Sequence, residues 1–358
     1  MIKLLTVIGA RPQFIKSATL SRIIKKKYSS EINEVVVHTG QHFDKNMSDI
    51  FFKDMNMPNP KYNLRIGGLS HSQMTAKMMQ RIEEICLKEK PNWVLVFGDT
   101  NTTLAGALVA AKLNIKLAHV EAGLRSYNMN MAEEVNRVIT DRISSLLFCP
   151  TTKAVKNLEL EGFNNLPNTK IKNVGDIMLE GAFYFSSLSK KPAELKNIEL
   201  KNYVLATIHR AETTDNIENL KSVIDALNRI NKNTQVIVPI HPRTREVINK
   251  KKLSVSFRMI NPVGYLEMLW LTQSCNLVIT DSGGLQKEAY FFEKRCLTTR
   301  NETEWVELLI NNNNILVGYE SNKILLEFNT PRSFKSSGNL FGGGNTSELI
   351  ITELIKTA

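Results

Sequence analysis

The sequence is poor in cysteine, in long apolar runs and in the glycine patterns of the common nucleotide sites. Its four cysteines, Cys86, Cys149, Cys275 and Cys296, are scattered through 358 residues with no C-x-x-C pair. That usage argues for reduced thiols in a cytoplasmic protein and against a zinc site. No apolar run approaches the ~20 residues needed to span a bilayer. The apolar start at residues 4–10 runs straight into Arg11-Pro12 without a small-residue cleavage pattern, so it reads as a first buried strand and not as a signal peptide. Neither G-x-G-x-x-G nor G-x-x-x-x-G-K-[ST] occurs, which removes the dinucleotide fingerprint and the P-loop. No metal-ligand spacing is present either, and neither a metal nor a cofactor is expected.

What is present is a globular composition, 42% hydrophobic and 23% charged, with a formal net charge of +11. Much of the positive excess lies in Lys25-Lys26-Lys27, Lys190-Lys191 and Lys250-Lys251-Lys252, at the ends of helical patterns, where cations favour the helix dipole. No aromatic–basic interleaving accompanies these runs. The charge therefore fits solvated helix ends and an anionic small substrate, with neither nucleic acid nor membrane as partner.

Short apolar or β-branched runs predict strands at 4–8, 34–38, 93–97, 116–120, 146–149 and 172–174, with helices between, for example 72–88 and 104–112. The scheme repeats at 203–208, 235–240, 257–260, 277–280 and 296–298. Strands without polar alternation predict parallel sheets covered on both faces, so the fold class is α/β with two doubly wound, Rossmann-like domains facing a central cleft. The expected domains are 1–180, joined by a C-terminal helix at 345–358, and 181–344. The charged, poorly patterned stretch 186–202 is the linker candidate. Asn345 and Glu348 have the spacing of a capping box, after a flexible turn at 342–344.

Ligands of such sheets bind at the carboxyl ends of the strands, so polar residues there are the site candidates. Arg11 and Lys16 follow the first strand and can hold an anion or can be plain helix charge. Asp99, in "VFGDTNTTLAG", either caps the next helix or does chemistry. Glu121 follows a buried strand just before a glycine, where a carboxylate has no structural task. Glu133 and Arg137 have the spacing of an i, i+4 ion pair, and several carboxylates in one place push some proton affinities up. His209 and Arg210 follow one strand of the second domain, and His241, Arg243 and Arg245 follow another. In "LVITDSGGLQKEA", Ser282-Gly283-Gly284 opens a helix where backbone N–H groups can meet an anion, and Glu288 lies one turn on.

In their order, "GARPQFIK", "TGQH", "GDTNTTLAGALVAAK", "HVEAGLRS", "EEVNR", "TIHRAE", "PIHPRTR", "DSGGLQKEA" and the final "GGGN" resemble the non-hydrolysing UDP-N-acetylglucosamine 2-epimerases. The resemblance implies a GT-B-like architecture, a UDP-sugar substrate, a homodimer and a reaction that inverts C2 without NAD. In that reaction UDP is eliminated to leave a bound 2-acetamidoglucal and then adds back. The resemblance places catalytic roles on Asp99, Glu121, Glu133 and His209. It places substrate contacts on Arg11, Lys16, Gln41, Arg137, His241, Ser282, Gly283, Gly284 and Glu288, with His42, Arg210 and Arg245 beside them. Two departures stand out. The common "GTRPE" is here Gly9-Ala10-Arg11-Pro12-Gln13, and the common "TERPE" is here Thr303-Glu304-Trp305-Val306-Glu307. This variant resembles the branch acting on UDP-2,3-diacetamido-2,3-dideoxyglucuronate, and a neutral Gln13 near Arg11 would suit a more anionic sugar. The rival readings are a hydrolysing epimerase, a GT-B glycosyltransferase and a non-catalytic nucleotide-sugar sensor. A cluster of three carboxylates is more than the last two require.

Overall fold

The computed structural model describes residues 1–41, 55, 57, 59–336 and 338–358, so His42 lies outside the described residues. The chain divides into two compact units, residues 1–183 with 339–358, and residues 184–338.

The first unit is built on seven strands: β1 (Ile2–Ile8), β2 (Ile32–His38), β3 (Tyr62–Asn63), β4 (Trp93–Phe97), β5 (Lys116–Val120), β6 (Leu146–Cys149) and β7 (Lys170–Asn173). Every pairing is parallel, in the order β3-β2-β1-β4-β5-β6-β7. Parallel neighbours need long crossovers, and among the described residues these are helical. They run through α1 (Arg11–Lys27), α2 (His71–Glu89), α3 (Asn101–Lys112), α4 (Ala132–Ile143), α5 (Thr152–Leu160) and α6 (Ile177–Ser186). Helices on both faces explain why β4 is buried at all its positions and carries only apolar residues. The strand order reverses between β1 and β4, which makes the carboxyl ends of those strands the crevice of this sheet.

The second unit repeats the plan with six parallel strands, β8 (Val204–Thr207), β9 (Val236–Pro239), β10 (Arg258–Ile260), β11 (Leu277–Thr280), β12 (Arg295–Thr298) and β13 (Asn314–Leu316), ordered β10-β9-β8-β11-β12-β13. Its helices are α7 (Ala211–Thr214), α8 (Ile217–Asn231), α9 (Pro242–Lys250), α10 (Tyr265–Ser274), α11 (Gly283–Phe291) and α12 (Ser321–Asn329). Here the order reverses between β8 and β11. The stretch 186–202, expected as a linker, is instead folded onto this unit. Leu195 is fully buried in the core with Tyr203 and Leu205, and Ile198 and Leu200 pack against them.

A last helix, α13 (Thr346–Lys356), belongs to the first unit and buries Ile350, Ile351 and Leu354 there. Each such side chain contributes roughly 1.5–3 kcal/mol. The expected capping box is absent, because the Asn345 side chain makes no cap bond. Glu180 on α6 does that work, accepting from Ser347 N at 2.7 Å, while Glu348 pairs with Lys27. The turn before α13 is packed tightly. A Cβ on Gly342, at φ +84°, would lie 2.8 Å from the Gly175 Cα, so the two glycines let the backbones touch.

Candidate active site

In the first unit the candidate residues gather at the ends of β1, β4 and β5. Thr100, not Asp99, caps α3, its hydroxyl accepting from Thr103 N. Asp99 is thereby left to other partners. Its Oδ2 lies 2.9 Å from Arg137 Nη1, and its carbonyl accepts from Asn136 Nδ2 at 2.8 Å. Desolvation raises the proton affinity of the Asp99 carboxyl above the ordinary value. Arg137 and Lys16 oppose that rise, and the charges of Glu121 and Glu133 reinforce it.

Glu121 sits just past β5 and is 9% exposed. Its backbone takes φ +75°, a left-handed conformation that costs a non-glycine residue about 1–3 kcal/mol. Its Oε2 pairs with Lys16 Nζ from α1, a lysine that is itself buried. Removing such a pair from water is a second unfavourable term. Glu121 thus carries two unfavourable terms at the crevice of the sheet.

The expected pair Glu133–Arg137 is not formed. Both arms of the Arg137 guanidinium are already taken, one by Asp99 and one by Glu134 Oε2 at 2.9 Å. Glu133 stands exposed in the first turn of α4, and Glu134 is buried. Glu134 also accepts from Ser126 N, Ser126 Oγ and Tyr127 N at 3.0, 3.0 and 2.9 Å, which ties down the loop after β5. Burial alone would raise its carboxyl, but the Ser126 and Tyr127 N–H groups and Arg137 hold it below the ordinary range.

Arg11 opens α1 and is half-buried. Gln41 is committed to the start of α3, where its Oε1 accepts from Thr102 N at 3.0 Å and Thr102 Oγ1 at 2.9 Å. Gln13, the neutral residue near Arg11 expected to suit a more anionic sugar, has a structural task. It is 2% exposed and staples two turns together, its Oε1 accepting from Gly9 N at 2.8 Å and Ala10 N at 3.0 Å. Its amide donates to Phe97 O at 2.8 Å and reaches the Thr100 and Thr103 hydroxyls at 3.0 Å. An amide is required there because it both donates and accepts.

In the second unit, His209 follows β8 and Asp281 follows β11, on the two strands flanking the reversal. His209 Nδ1 lies 2.9 Å from Asp281 Oδ1, and the backbone N–H groups of His209 and Arg210 both donate to Asp281 Oδ2. Burial would raise the Asp281 carboxyl, but His209 and those N–H groups hold it below the ordinary value. The His209 ring is 41% exposed and its centroid lies 6.4 Å from that of His241. The Nδ1 of His241 accepts from Arg243 N and caps α9, which leaves Nε2 as the donor. Desolvation, with the nearby His209 and Arg243, lowers the His241 pKa below its ordinary value. Arg245 bonds Ile260 O and Asn261 Oδ1 at the end of β10, at 3.4 and 3.2 Å.

At the start of α11, Ser282 caps the helix through Leu285 N, and Glu288 is buried one turn on. The two glycines differ. A Cβ on Gly283 would lie 2.3 Å from Glu304 Oε1, whereas one on Gly284 would meet nothing within 4 Å. Glu304 is held by Arg300 Nη1 at 2.9 Å, with Arg210 Nη2 3.9 Å away. Trp305, standing where the common motif has arginine, is buried with the Lys287 ammonium 3.9 Å above its ring. Among the described residues no group of three or more His, Cys, Asp or Glu is placed to hold a metal. No helix of the described residues is long and apolar enough to cross a membrane.

The roles of Asp281, Glu304, Glu134 and Gln13 were not evident from the sequence. A carboxylate ending an apolar strand marked Asp281, but its partner lies 72 residues earlier.

The sequence model of the UDP-N-acetylglucosamine 2-epimerase family matches residues 25–355. The chain is 50% identical over 358 residues to the UDP-2,3-diacetamido-2,3-dideoxy-D-glucuronate 2-epimerase of Pseudomonas aeruginosa, covering 99% of this chain and 100% of that one. It is 42% identical to the UDP-N-acetylglucosamine 2-epimerase of Methanocaldococcus jannaschii, over 98% of each chain. The crystal structure of a Methanocaldococcus jannaschii UDP-GlcNAc 2-epimerase, in complex with UDP-GlcNAc and UDP, superposes with a TM-score of 0.88 and covers 99% of this chain and all of that one. With two parallel-sheet units of the GT-B-like kind and a motif order carried through its length, the chain belongs to the UDP-N-acetylglucosamine 2-epimerase family.

Proposed function

We propose that this chain inverts C2 of a UDP-linked 2-acetamido sugar by eliminating UDP and adding it back, with the sugar still on UDP at equilibrium. The observation that carries the reading is the juxtaposition at β4 and β5. A strained, buried Glu121 is paired with Lys16, and Asp99 nearby has a raised proton affinity. A proton acceptor and a proton donor are what inversion at a C–H centre demands.

In the first half-reaction a carboxylate takes the C2 proton as the C1–O bond to UDP breaks anti to it. The C–H electrons form the C1=C2 bond of a 2-acetamidoglucal, and the C1–O pair leaves with the diphosphate. In the return, the diphosphate oxygen adds to C1 and a proton reaches C2 from the opposite face. No net oxidation occurs, so the reaction needs no redox cofactor. Asp99, Glu121 and Glu133 are assigned the proton transfers, with Arg11, Lys16, Gln41 and Arg137 around them. His209, oriented by Asp281, is assigned to the departing diphosphate, together with Arg210, His241, Ser282, Gly283, Gly284 and Glu288. Gly284 is exposed at the start of α11, so an anion can reach its backbone N–H. His42 and Arg245 are assigned outer substrate contacts.

The sugar is proposed to be the 2,3-diacetamido uronate type, on the strength of the 50% identical relative that carries that name. The reading includes a cytoplasmic homodimer that supplies a precursor of bacterial surface polysaccharide. Proton NMR in heavy water tests it. Deuterium should enter C2 while the sugar stays on UDP, with turnover of the diacetamido uronate well above that of UDP-N-acetylglucosamine. Free sugar as the product would instead favour a hydrolysing enzyme.

A further inference from the structure

Beneath the two carboxylates of the first unit lies a polar chain that the reaction scheme does not use. His119, on β5 among the buried Leu117, Ala118 and Val120, is fully buried. Its Nε2 lies 2.7 Å from the carbonyl oxygen of Gly98, and its Nδ1 lies 2.7 Å from Oδ1 of the equally buried Asp141. A carbonyl oxygen only accepts, so Nε2 carries a proton. Asp141 is held as a carboxylate: its Oδ2 accepts from Gly123 N at 3.1 Å and from Arg125 Nη1 at 2.7 Å. Burial pushes its carboxyl up, yet His119 and Arg125 together hold it below the ordinary range. Nδ1 therefore carries a proton as well. The outer end of the chain is closed by Arg125, which grips Glu161 with Nε and Nη2 at 2.7 and 2.8 Å. Cationic and anionic groups alternate along the chain, which ends at the exposed Glu161.

The two turns that these bonds fix are the ones that carry the carboxylates. Gly98 is the residue before Asp99, and its carbonyl is the atom that His119 holds. Gly123 is two residues after Glu121, and its N–H is the group that Asp141 holds. The dyad thus spans from the end of β4 to the end of β5, and ties the peptide before Asp99 to the turn in which Glu121 is strained.

We propose that His119, as a buried imidazolium joined to Asp141, is a positioning residue that locks the Asp99 and Glu121 turns into a single arrangement for proton transfer. The proposal rests on the reading that these carboxylates carry the chemistry. A polar plug serving stability alone would leave the turnover of folded enzyme untouched. A positioning residue, by contrast, acts on kcat, since a displacement of about 1 Å at reacting groups costs roughly 100-fold.

Asparagine and glutamine divide the two bonds. His119→Asn keeps a donor towards Asp141 and drops the Gly98 contact, and His119→Gln does the reverse. With the full-length enzyme and the UDP-diacetamido uronate, each variant is expected to lose at least tenfold in kcat for C2 exchange, with KM within about threefold. Removing both bonds in His119→Phe is expected to cost little more than removing either, because the two bonds act as one brace. Imidazole nitrogen-15 NMR of the wild type gives a readout free of activity: both His119 ring nitrogens are expected to carry a hydrogen and donate, one to Gly98 O and one to Asp141. A neutral His119 ring overturns the proposal, and so does kcat within twofold of wild type in either folded variant. Should neither variant fold, Arg125→Lys loosens Asp141 from its far side, and it must show the same kcat loss with KM retained. Wild-type enzyme showing no C2 exchange with any UDP-HexNAc overturns the functional reading itself, and the proposal with it.

Discussion

Arg137 holds Asp99 with one arm of its guanidinium, Nη1 to Oδ2 at 2.9 Å, and spends the other on Glu134. The fork sets the Asp99 carboxylate against α4 and opposes the rise in its proton affinity. In Arg137→Lys a single ammonium cannot serve both partners. Glu134 keeps its Ser126 and Tyr127 donors, so the loop after β5 survives. The expected result is a folded enzyme with kcat for C2 exchange lowered by about 100-fold. The limb of the pH–rate profile that Asp99 governs should move to higher pH, because a single ammonium shared with Glu134 opposes the rise in its proton affinity less than the guanidinium arm did. A pH–rate profile reads both effects.

Asp99→Asn separates capping from chemistry. The cap of α3 is Thr100, so the variant is expected to melt within a degree or two of wild type. C2 exchange should vanish, since an amide can neither take nor give the proton. Near-normal exchange in heavy water would remove Asp99 from the mechanism.

The two glycines of α11 should respond differently to alanine. In Gly283→Ala the new methyl lies 2.3 Å from Glu304 Oε1, so Glu304 must leave Arg300 or the helix must shift. A loss of stability of about 1–3 kcal/mol is expected. Gly284→Ala meets nothing within 4 Å and should fold as well as wild type. If the diphosphate approaches there, UDP affinity falls at least tenfold in this stable variant. Calorimetry of melting and of UDP binding checks the pair.

Gln13→Leu removes the staple between the turns at Gly9–Ala10 and Phe97–Thr103. It leaves Gly9 N and Ala10 N without their acceptor in a buried place. A destabilisation of about 2–4 kcal/mol is expected by denaturant titration, well above that of a surface substitution.

His241 gives the second unit a pH signature. Its folded pKa lies below the ordinary value of 6.5. As pH falls through that value the unfolded chain takes up the proton first, so stability decreases on acidification from about pH 7. His241→Asn keeps a side-chain acceptor for Arg243 N and cannot titrate. Between about pH 7 and about pH 5.5 its melting temperature should vary less than that of wild type.

The sheets were legible because parallel strands buried on both faces read as apolar runs, as 93–97 and 277–280 do. The two-residue β3 and the short β13 carry no such run and were not expected. The cap of α3 was left open at Asp99 because Thr100, also a good cap, lies one residue on, and only the backbone path decides between them. Cap assignment failed at α13 because Glu180 acts from 167 residues away. Asp99 and Glu121 stood out as charges at strand ends. The groups that orient them, Asp141 under His119 and Glu134 beside Arg137, were not legible as partners. A residue type and its position do not say which buried polar atom it meets.

The tertiary cap on α13 bears on biosynthesis. The first unit draws its last helix from a segment made only after the whole of the second unit, which is continuous in sequence. While the ribosome is still translating, Glu180 has no Ser347 N–H to accept and Val174 O has no Thr346 hydroxyl. The half of the molecule that is synthesised first is therefore the half that is completed last. A nascent chain stalled before residue 339 should show a protease-resistant second unit behind an open first one.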